Sequence, residues 1–399
     1  MRRALRLLVV AAAAAVLPCR LQAQDSTESD QGPGHWSLDL PVRGYGISFG
    51  NSARFSGLRF NWSDAGLDRI AGVNVTLWRP DKPITGTVTG LSLGIAGPAA
   101  STLDGISIGL GGVLAEYAVR GVAIGGFGVV SQGTIDGISL AGLGVVAEGR
   151  VRGISVSGLG VVSQGGLTGI SLSGLGVVSQ GPMAGLNFAG LGVVSQGSLT
   201  GVAAAGLGTV SQGSMTGLAA AGLGTVAQGD LRGLSVSGLA SVAQGDIWGA
   251  HAAGMAVVAQ GDVEGLAVSG IATVAQGHIA GIALGGVAVV AQGGMTGLTV
   301  GGVAVVSQGL VRGLTVAGYK VRSHRVSGLT IAGINLKTES MSGLSVSAFN
   351  QIRGLQAGIT IGLLNVARRL KGIQIGVLNI ARNNPPPFRV LPIINAHFD

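Results

Sequence analysis

Charge and aromatic rings are scarce in this chain, and cysteine is almost missing. Charged residues make up 11 % and aromatics 4 % of 399 residues, and Cys19 is the single cysteine. Low charge beside 47 % hydrophobic residues excludes a disordered chain, which is rich in charge and poor in apolar groups. One cysteine excludes a disulfide framework, so stability has to come from backbone pairing and packing. Long apolar runs are also missing after residue 23. Between residues 121 and 312, Gly, Ser or Gln interrupts the aliphatic residues every few positions, which argues against a membrane-spanning helix. It does not argue against a membrane barrel, whose strands give a weaker signal. What is abundant is glycine, with 74 residues against a usual ~7 % of a chain. Its spacing is not every third residue, which excludes collagen. Its density excludes long helices, since each interior Gly costs about 1 kcal/mol relative to Ala. A Gly-punctuated β architecture remains.

Residues 1–23 read as a secretory signal peptide. Arg2, Arg3 and Arg6 form a charged start, an apolar run from Leu7 to Leu17 follows, and Leu21-Gln22-Ala23 ends the segment on a small residue. Cleavage there gives a mature chain that begins at Gln24 and has no cysteine. Lipidation at Cys19 is the alternative, disfavoured by Pro18 where a small, flexible residue is expected.

From Gly121 to Gly313 the sequence repeats every 16 residues, twelve times without a slip. Looser units start near Gly57, Gly72, Gly90 and Gly105 before this block, and at Gly328, Gly343, Gly358 and Gly372 after it. Numbered from the first Gly, positions 1, 6 and 13 are Gly nearly throughout. Positions 2, 4, 7, 10 and 15 are mostly aliphatic, and positions 3, 5 and 11 are nearly all Ser, Ala, Thr or Gly. Position 12 is Gln from Gln132 to Gln308, with Glu148 as the exception. Short alternating stretches bounded by Gly are expected to be strands joined by bends. Position 8 is Gly or Ala in the regular block and Asn in the last four units, at Asn335, Asn350, Asn365 and Asn379. It reads as a further bend, with Asn side chains able to bond from coil to coil.

Two architectures fit. In a single elongated all-β solenoid, each unit is one coil of about 16 residues with two or three short strands, stacked ~4.8 Å from the next. Its aliphatic positions are expected to fill the interior and its small positions to form outer faces. In a transmembrane β-barrel, each unit is one strand and a turn. Three features favour the solenoid. Gly at positions 6 and 8 breaks the alternation that lipid-facing strands need. Residues 121–312 hold only Phe127, Phe188 and Trp248 for an aromatic girdle. Identical units suit identical coils better than strands of alternating direction. The domain plan is then a signal peptide (1–23) and a polar leader (24–35), followed by an aromatic-rich N-terminal cap with degenerate repeats (36–89). The repeat array (90–384) and a Pro-rich C-terminal cap (385–399) complete it.

The stretch 358–384 resembles exported bacterial surface-repeat proteins, Gly-rich chains with tandem GLQxGLxNxA-like units that are mostly of unknown function. Gly358, Gly362, Leu364, Asn365 and Ala367, then Gly372, Gln374, Gly376, Asn379 and Ala381, carry the resemblance. It implies the cell surface or outer membrane and supplies no catalytic residues.

Chemistry is harder to find. The five histidines lack HExxH spacing, and the G-x-G strings recur as repeat bends without a following helix. No catalytic, cofactor-binding or metal residue is assigned. Asp230, Asp246, Asp262 and His278 share position 14 of consecutive units, so the edge they form is either solvated or a cation site. The ten charges between 121 and 312 all fall at positions 12, 14 or 16, marking one solvated edge. The clearest partner signal is basic. Residues 313–399 hold ten Lys or Arg against Glu339 and Asp399. Arg368, Arg369 and Lys371, the closest run, are the candidate contacts to an anionic membrane surface, lipopolysaccharide or glycan. Aromatic interleaving for nucleic acid is missing. The expected function is an exported, non-enzymatic structural or adhesive element at the bacterial cell surface. The alternatives are an outer-membrane barrel for solute passage and a glycan-processing β-helix.

Overall fold

The computed structural model describes residues 37–42, 45–80 and 83–398. The signal peptide, the polar leader, Cys19 and the cleavage position therefore lie outside the described residues. Among the described residues every regular element is a strand, and no helix is long and apolar enough to cross a membrane. The chain divides into two compact units, ending at Gly197 and beginning at Ser198. Both are β-solenoids, winding about 19 turns of roughly 16 residues in all.

Neighbouring coils pair in parallel, each residue beside its equivalent. In the first unit Gly153 pairs with Gly169 and Gly160 with Gly176; in the second Gly233 pairs with Gly249. Sixteen-residue parallel register is what coils produce, and barrel strands of alternating direction cannot. The barrel alternative is overturned, and the solute-passage reading loses the architecture it rested on. An antiparallel edge strand closes one end of each unit: Ser37–Val42 on Tyr45–Gly50 in the first, and Val390–His397 on residues 372–380 in the second. Such strands occupy the backbone groups that an open edge would offer to another chain.

A regular coil has two strands. In one example, Leu231–Ser237 is followed by a bend at Gly238-Leu239, then Ala240–Ala243, then a turn through Gln244-Gly245-Asp246. The longer strand is itself bent at position 1. Gly169, for example, has φ +117°, and a Cβ there would overlap the carbonyl oxygen of Gly153 in the coil before. Position 6 is equally closed, since a Cβ on Gly174 would overlap the carbonyl of Gly158. Position 8 differs. Gly176 opens the strand Gly176–Ser179, and a Cβ there would lie 3.7 Å from its nearest neighbour. The bend expected at position 8 is therefore placed two residues too late: the turn is at positions 6 and 7, and Ala at 8 costs nothing steric.

The interior reverses the expectation at every aliphatic position but 15, which is inward as expected, and 10, which is half-buried. The inward positions are 3, 5, 9, 11 and 15, as in Ser155, Ser157, Val161, Ser163 and Leu167, with position 5 the least completely buried of them. Four of these five columns hold small residues, or Val and Thr, with Asn187 and His251 as the exceptions at position 3. Position 15 carries the long aliphatic side chains, among them Leu199, Met215, Leu231, Ile247 and Met295. The aliphatic residues of positions 2, 4 and 7 face outward, with those of position 10 half-buried. Lumen width is the physical reason. Facing strands of one coil are close enough for hydroxyls to meet: Ser235 and Ser241 are 3.2 Å apart, and Ser241 donates to Ser237 at 3.1 Å. A pair of leucines has no room in that gap. Strand alternation then sends the bulky residues outside.

Polar ladders run through this lumen. Ser139 donates to Ser155 at 2.9 Å and Thr209 to Thr225 at 3.1 Å. Near the C-terminus the rungs are amides: Asn350 donates to Asn365, and Asn365 to Asn379, each at 2.7 Å. The coil-to-coil Asn bonds are thus formed, but inside. The strand from Phe349 starts one residue early, since Phe349 rather than Asn350 pairs with Asn335 and Asn350 pairs with the inward Leu336. Asn335 stays outside this ladder. Near the N-terminus, fully buried Arg59 is held by Asp64 and Asn74 at 2.9 Å and by Asn51 at 2.8 Å. Burial pulls its guanidinium below the ordinary arginine range, against the pull of Asp64.

One ladder rung titrates. His251 sits at position 3, 2 % exposed, accepting from Ser235 at Nδ1 (2.7 Å) and donating from Nε2 to the Trp248 carbonyl (3.2 Å). Burial lowers its pKa, with the Trp248 bond a smaller opposing effect. The unfolded chain binds this proton near pH 6.5 while the folded chain resists it, so stability falls as pH drops below about 6.5. His251→Ala places the residue found at Ala203, Ala219 and Ala267 on the same column. Melting curves between pH 7 and pH 5 should show a steeper loss for wild type than for His251→Ala. Parallel curves would remove His251 as the cause.

Candidate functional site

With a packed, narrow lumen, the functional surface is the outside. It has three parts: an apolar flank, a charged edge and a basic C-terminal region.

The flank is built from positions 2, 4 and 7. In the second unit, position 7 gives Leu207, Leu223, Leu239, Met255, Ile271, Val287, Val303, Tyr319 and Ile334, each between 43 % and 51 % exposed. Leu218, Leu234, Leu266, Ile282 and Leu314 at position 2, with Val236 at position 4, are exposed beside them. Nine coils at ~4.8 Å and five residues at ~3.3 Å make a footprint on the order of 700 Å². That already exceeds the ~300–600 Å² range for the largest patch on a typical monomer. The first unit continues the pattern with Ile154, Leu159, Leu172, Leu175, Phe188 and Leu191.

The charged edge lies at positions 12, 14 and 16, as expected. Its aspartates do a structural job. Asp230 accepts the Asp246 N–H at 3.1 Å, Asp246 accepts that of Asp262 at 2.8 Å, and Asp262 accepts that of His278 at 2.6 Å. Each carboxylate satisfies the turn above it, one bond per coil, and this accounts for Asp at successive units without a cation. Among the described residues, no group of three or more His, Cys, Asp or Glu is arranged to hold a metal ion. Arg232 bonds Asp230 at 2.8 Å and lies 5.2 Å over the Trp248 ring. The position 12 side chains, such as Gln164 and Gln244, are exposed. Their backbone N–H groups pair with the previous coil, as Gln244 does with Ala227 at 3.1 Å.

At the basic end, Arg368, Arg369 and Lys371 are all exposed on the strand Phe349–Ala381, with Arg369 and Lys371 either side of inward Leu370. The Asn ladder sets the register around them. Two residues beyond Asn350, Asn365 and Asn379 stand Ile352, Ala367 and Ala381, all buried. Three residues beyond stand Arg353, Arg368 and Arg382, all exposed. Arg368 is thus the middle of an arginine column.

A second basic group adjoins it, which the sequence reading did not single out. Position 10 is Val from Val130 to Val306 and then becomes Arg322 and Lys337, which pair in register. Lys320, Arg322 and His324 face outward on one strand, and Lys337 and Glu339 on the next. Arg322, Lys337, Arg353, His324 and Glu339 line a groove of about 360 Å³. Glu339, its one carboxylate, is 3.1 Å from His324 Nδ1. Arg353 above all, then loss of water contact, then Arg322 and Lys320 hold the Lys337 amine below the ordinary lysine range. The readable signal is a cation entering a column that is Val in all twelve regular units.

Comparison with protein-family profiles, curated proteins and solved structures finds no match to this chain.

Proposed function

We propose that the chain is an exported, non-enzymatic β-solenoid serving as a structural or adhesive element at the bacterial cell surface. The observation that carries this reading is the outward apolar flank. Burying a Leu side chain stabilises a fold by roughly 1.5–3 kcal/mol, and these coils forgo that gain in unit after unit. An apolar strip of this size, bordered by a solvated charged edge, suits contact with another surface. The signal-like residues 1–23 and the resemblance of 358–384 to exported surface-repeat proteins support the address. The excess of cations after residue 313 supports docking on an anionic envelope component, with Arg368, Arg369 and Lys371 among the contacts.

The test separates contact from folding. Replacing Leu207, Leu223 and Leu239 by Ser removes three neighbouring flank residues that the interior does not use. The variant should be exported, begin at Gln24 by intact mass, and melt within a few degrees of wild type. Retention of producing cells on an apolar surface should fall at least fivefold. Unchanged retention would remove the flank as the contact, and a chain found only inside cells would remove the address.

A further inference from the structure

We propose that the outward groove formed by Arg322, Lys337 and Arg353 is a binding site for a phosphate group. The site refines the docking proposed for the basic end and does not depend on the apolar flank. Its geometry follows from the fold. Arg322 and Lys337 are register partners on adjacent strands, so their backbones are ~4.8 Å apart. Arg353 belongs to the following coil and lines the same groove. Parallel pairing stacks Arg322 on Lys337; Lys337 pairs onward with Gln351, and Ile352 pairs with Thr338, so Arg353 stands one outward position along, at the level of Glu339. Lys320 adds a fourth positive charge on the same outward face, and Glu339 is the one carboxylate in the groove. Glu339 is engaged by His324, so the cations keep unspent donor capacity. Repulsion among them already weakens the Lys337 proton's hold. An oxyanion between them reverses that repulsion.

The chemistry favours phosphate over a single carboxylate. Two guanidinium forks and an ammonium line the groove and together supply many charge-assisted donors. A tetrahedral anion with three or more acceptor oxygens can engage all three cations, and charge-assisted bonds of this kind are about twice as strong as neutral ones. A carboxylate has two oxygens in one plane and leaves a cation unanswered. Bound phosphate should also raise the Lys337 pKa, since it opposes Arg353, Arg322 and Lys320 together.

The experiment uses the full chain with two probes: inorganic phosphate, followed by ³¹P line broadening, and phosphatidylcholine vesicles carrying phosphatidic acid, followed by co-sedimentation. Lys337→Gln with Arg353→Gln is compared with Arg150→Gln with Arg152→Gln, which removes equal charge from the edge of the first unit. All four residues are outward, and melting curves confirm the fold of each variant; Arg322→Gln alone serves as a second site variant. The expected result is saturable binding of at least one probe, weakened tenfold or more by the site pair and less than twofold by the edge pair. Binding of free phosphate assigns a soluble source. Binding of the vesicles alone assigns a lipid-borne phosphate. No saturable binding of either probe, or equal weakening by both pairs, overturns the site. Loss of this binding with cell retention unchanged would leave the adhesive reading standing, so the two fail separately.

Discussion

Deleting residues 281–296 should leave an exported protein that melts within a few degrees of wild type, whereas deleting 281–288 should prevent folding. The first deletion joins Ala280 to Gly297 and removes one coil. Gly265 then stacks beneath Gly297 as it stacked beneath Gly281, and inward Ala267 meets inward Thr299. Stability in such an array is close to a sum over coils and their nearest-neighbour contacts, so one coil fewer changes little. The half-coil deletion joins Ala280 to Val289. It removes the corner glycine Gly281 and the turn at Gly286-Val287, and puts strand residues where the bend belongs. Every later residue is then eight positions out of register. Soluble yield and thermal melting of both variants measure the contrast. Equal damage from the two deletions would mean that coils are not interchangeable units.

Gly169→Ala should destabilise the first unit by about 3 kcal/mol or more, while Gly176→Ala, seven residues away in the same coil, should be near neutral. Gly169 combines φ +117° with a Cβ site already occupied by the Gly153 carbonyl. Left-handed strain costs about 1–3 kcal/mol and overpacking about as much again. At Gly176 the nearest atom lies 3.7 Å from an added Cβ, and Ala stands at the equivalent position in Ala240 and Ala256. Hydrogen exchange in Arg150–Ser157 and Gly166–Ser173, the strands that meet at this corner, is the most direct measurement. Similar protection in both variants would show that the position 1 bend yields to a side chain.

Much of the molecule was legible beforehand, and the errors have one origin. The 16-residue period, the strands between glycines, the solvated edge at positions 12, 14 and 16, and the Asn contacts in the last units all follow from spacing. The faces did not. Assigning aliphatic residues to the interior follows the rule that burial favours them, yet here Leu234 and Val236 point out and Ser235 and Ser237 point in. Alternation defines two faces without saying which is inside. The basic groove was missed for a related reason. Arg322 and Lys337 were counted within an overall excess of charge, but their being neighbours depends on parallel register, and the place of Arg353 depends on the strand that begins one residue early at Phe349.

Repetition in the sequence determined the coil length, the stacking of like on like, and the need for glycine wherever a carbonyl of the preceding coil leaves no space for a side chain. The tertiary structure alone decided which side of each strand faces the lumen. That choice is made by closure of the coil: two short strands brought within hydroxyl contact admit Ser, Ala and Thr and reject Leu. The same closure turns the aliphatic columns into the outer surface and sets three cations along one groove, because a parallel stack repeats outward whatever one coil cannot hold within.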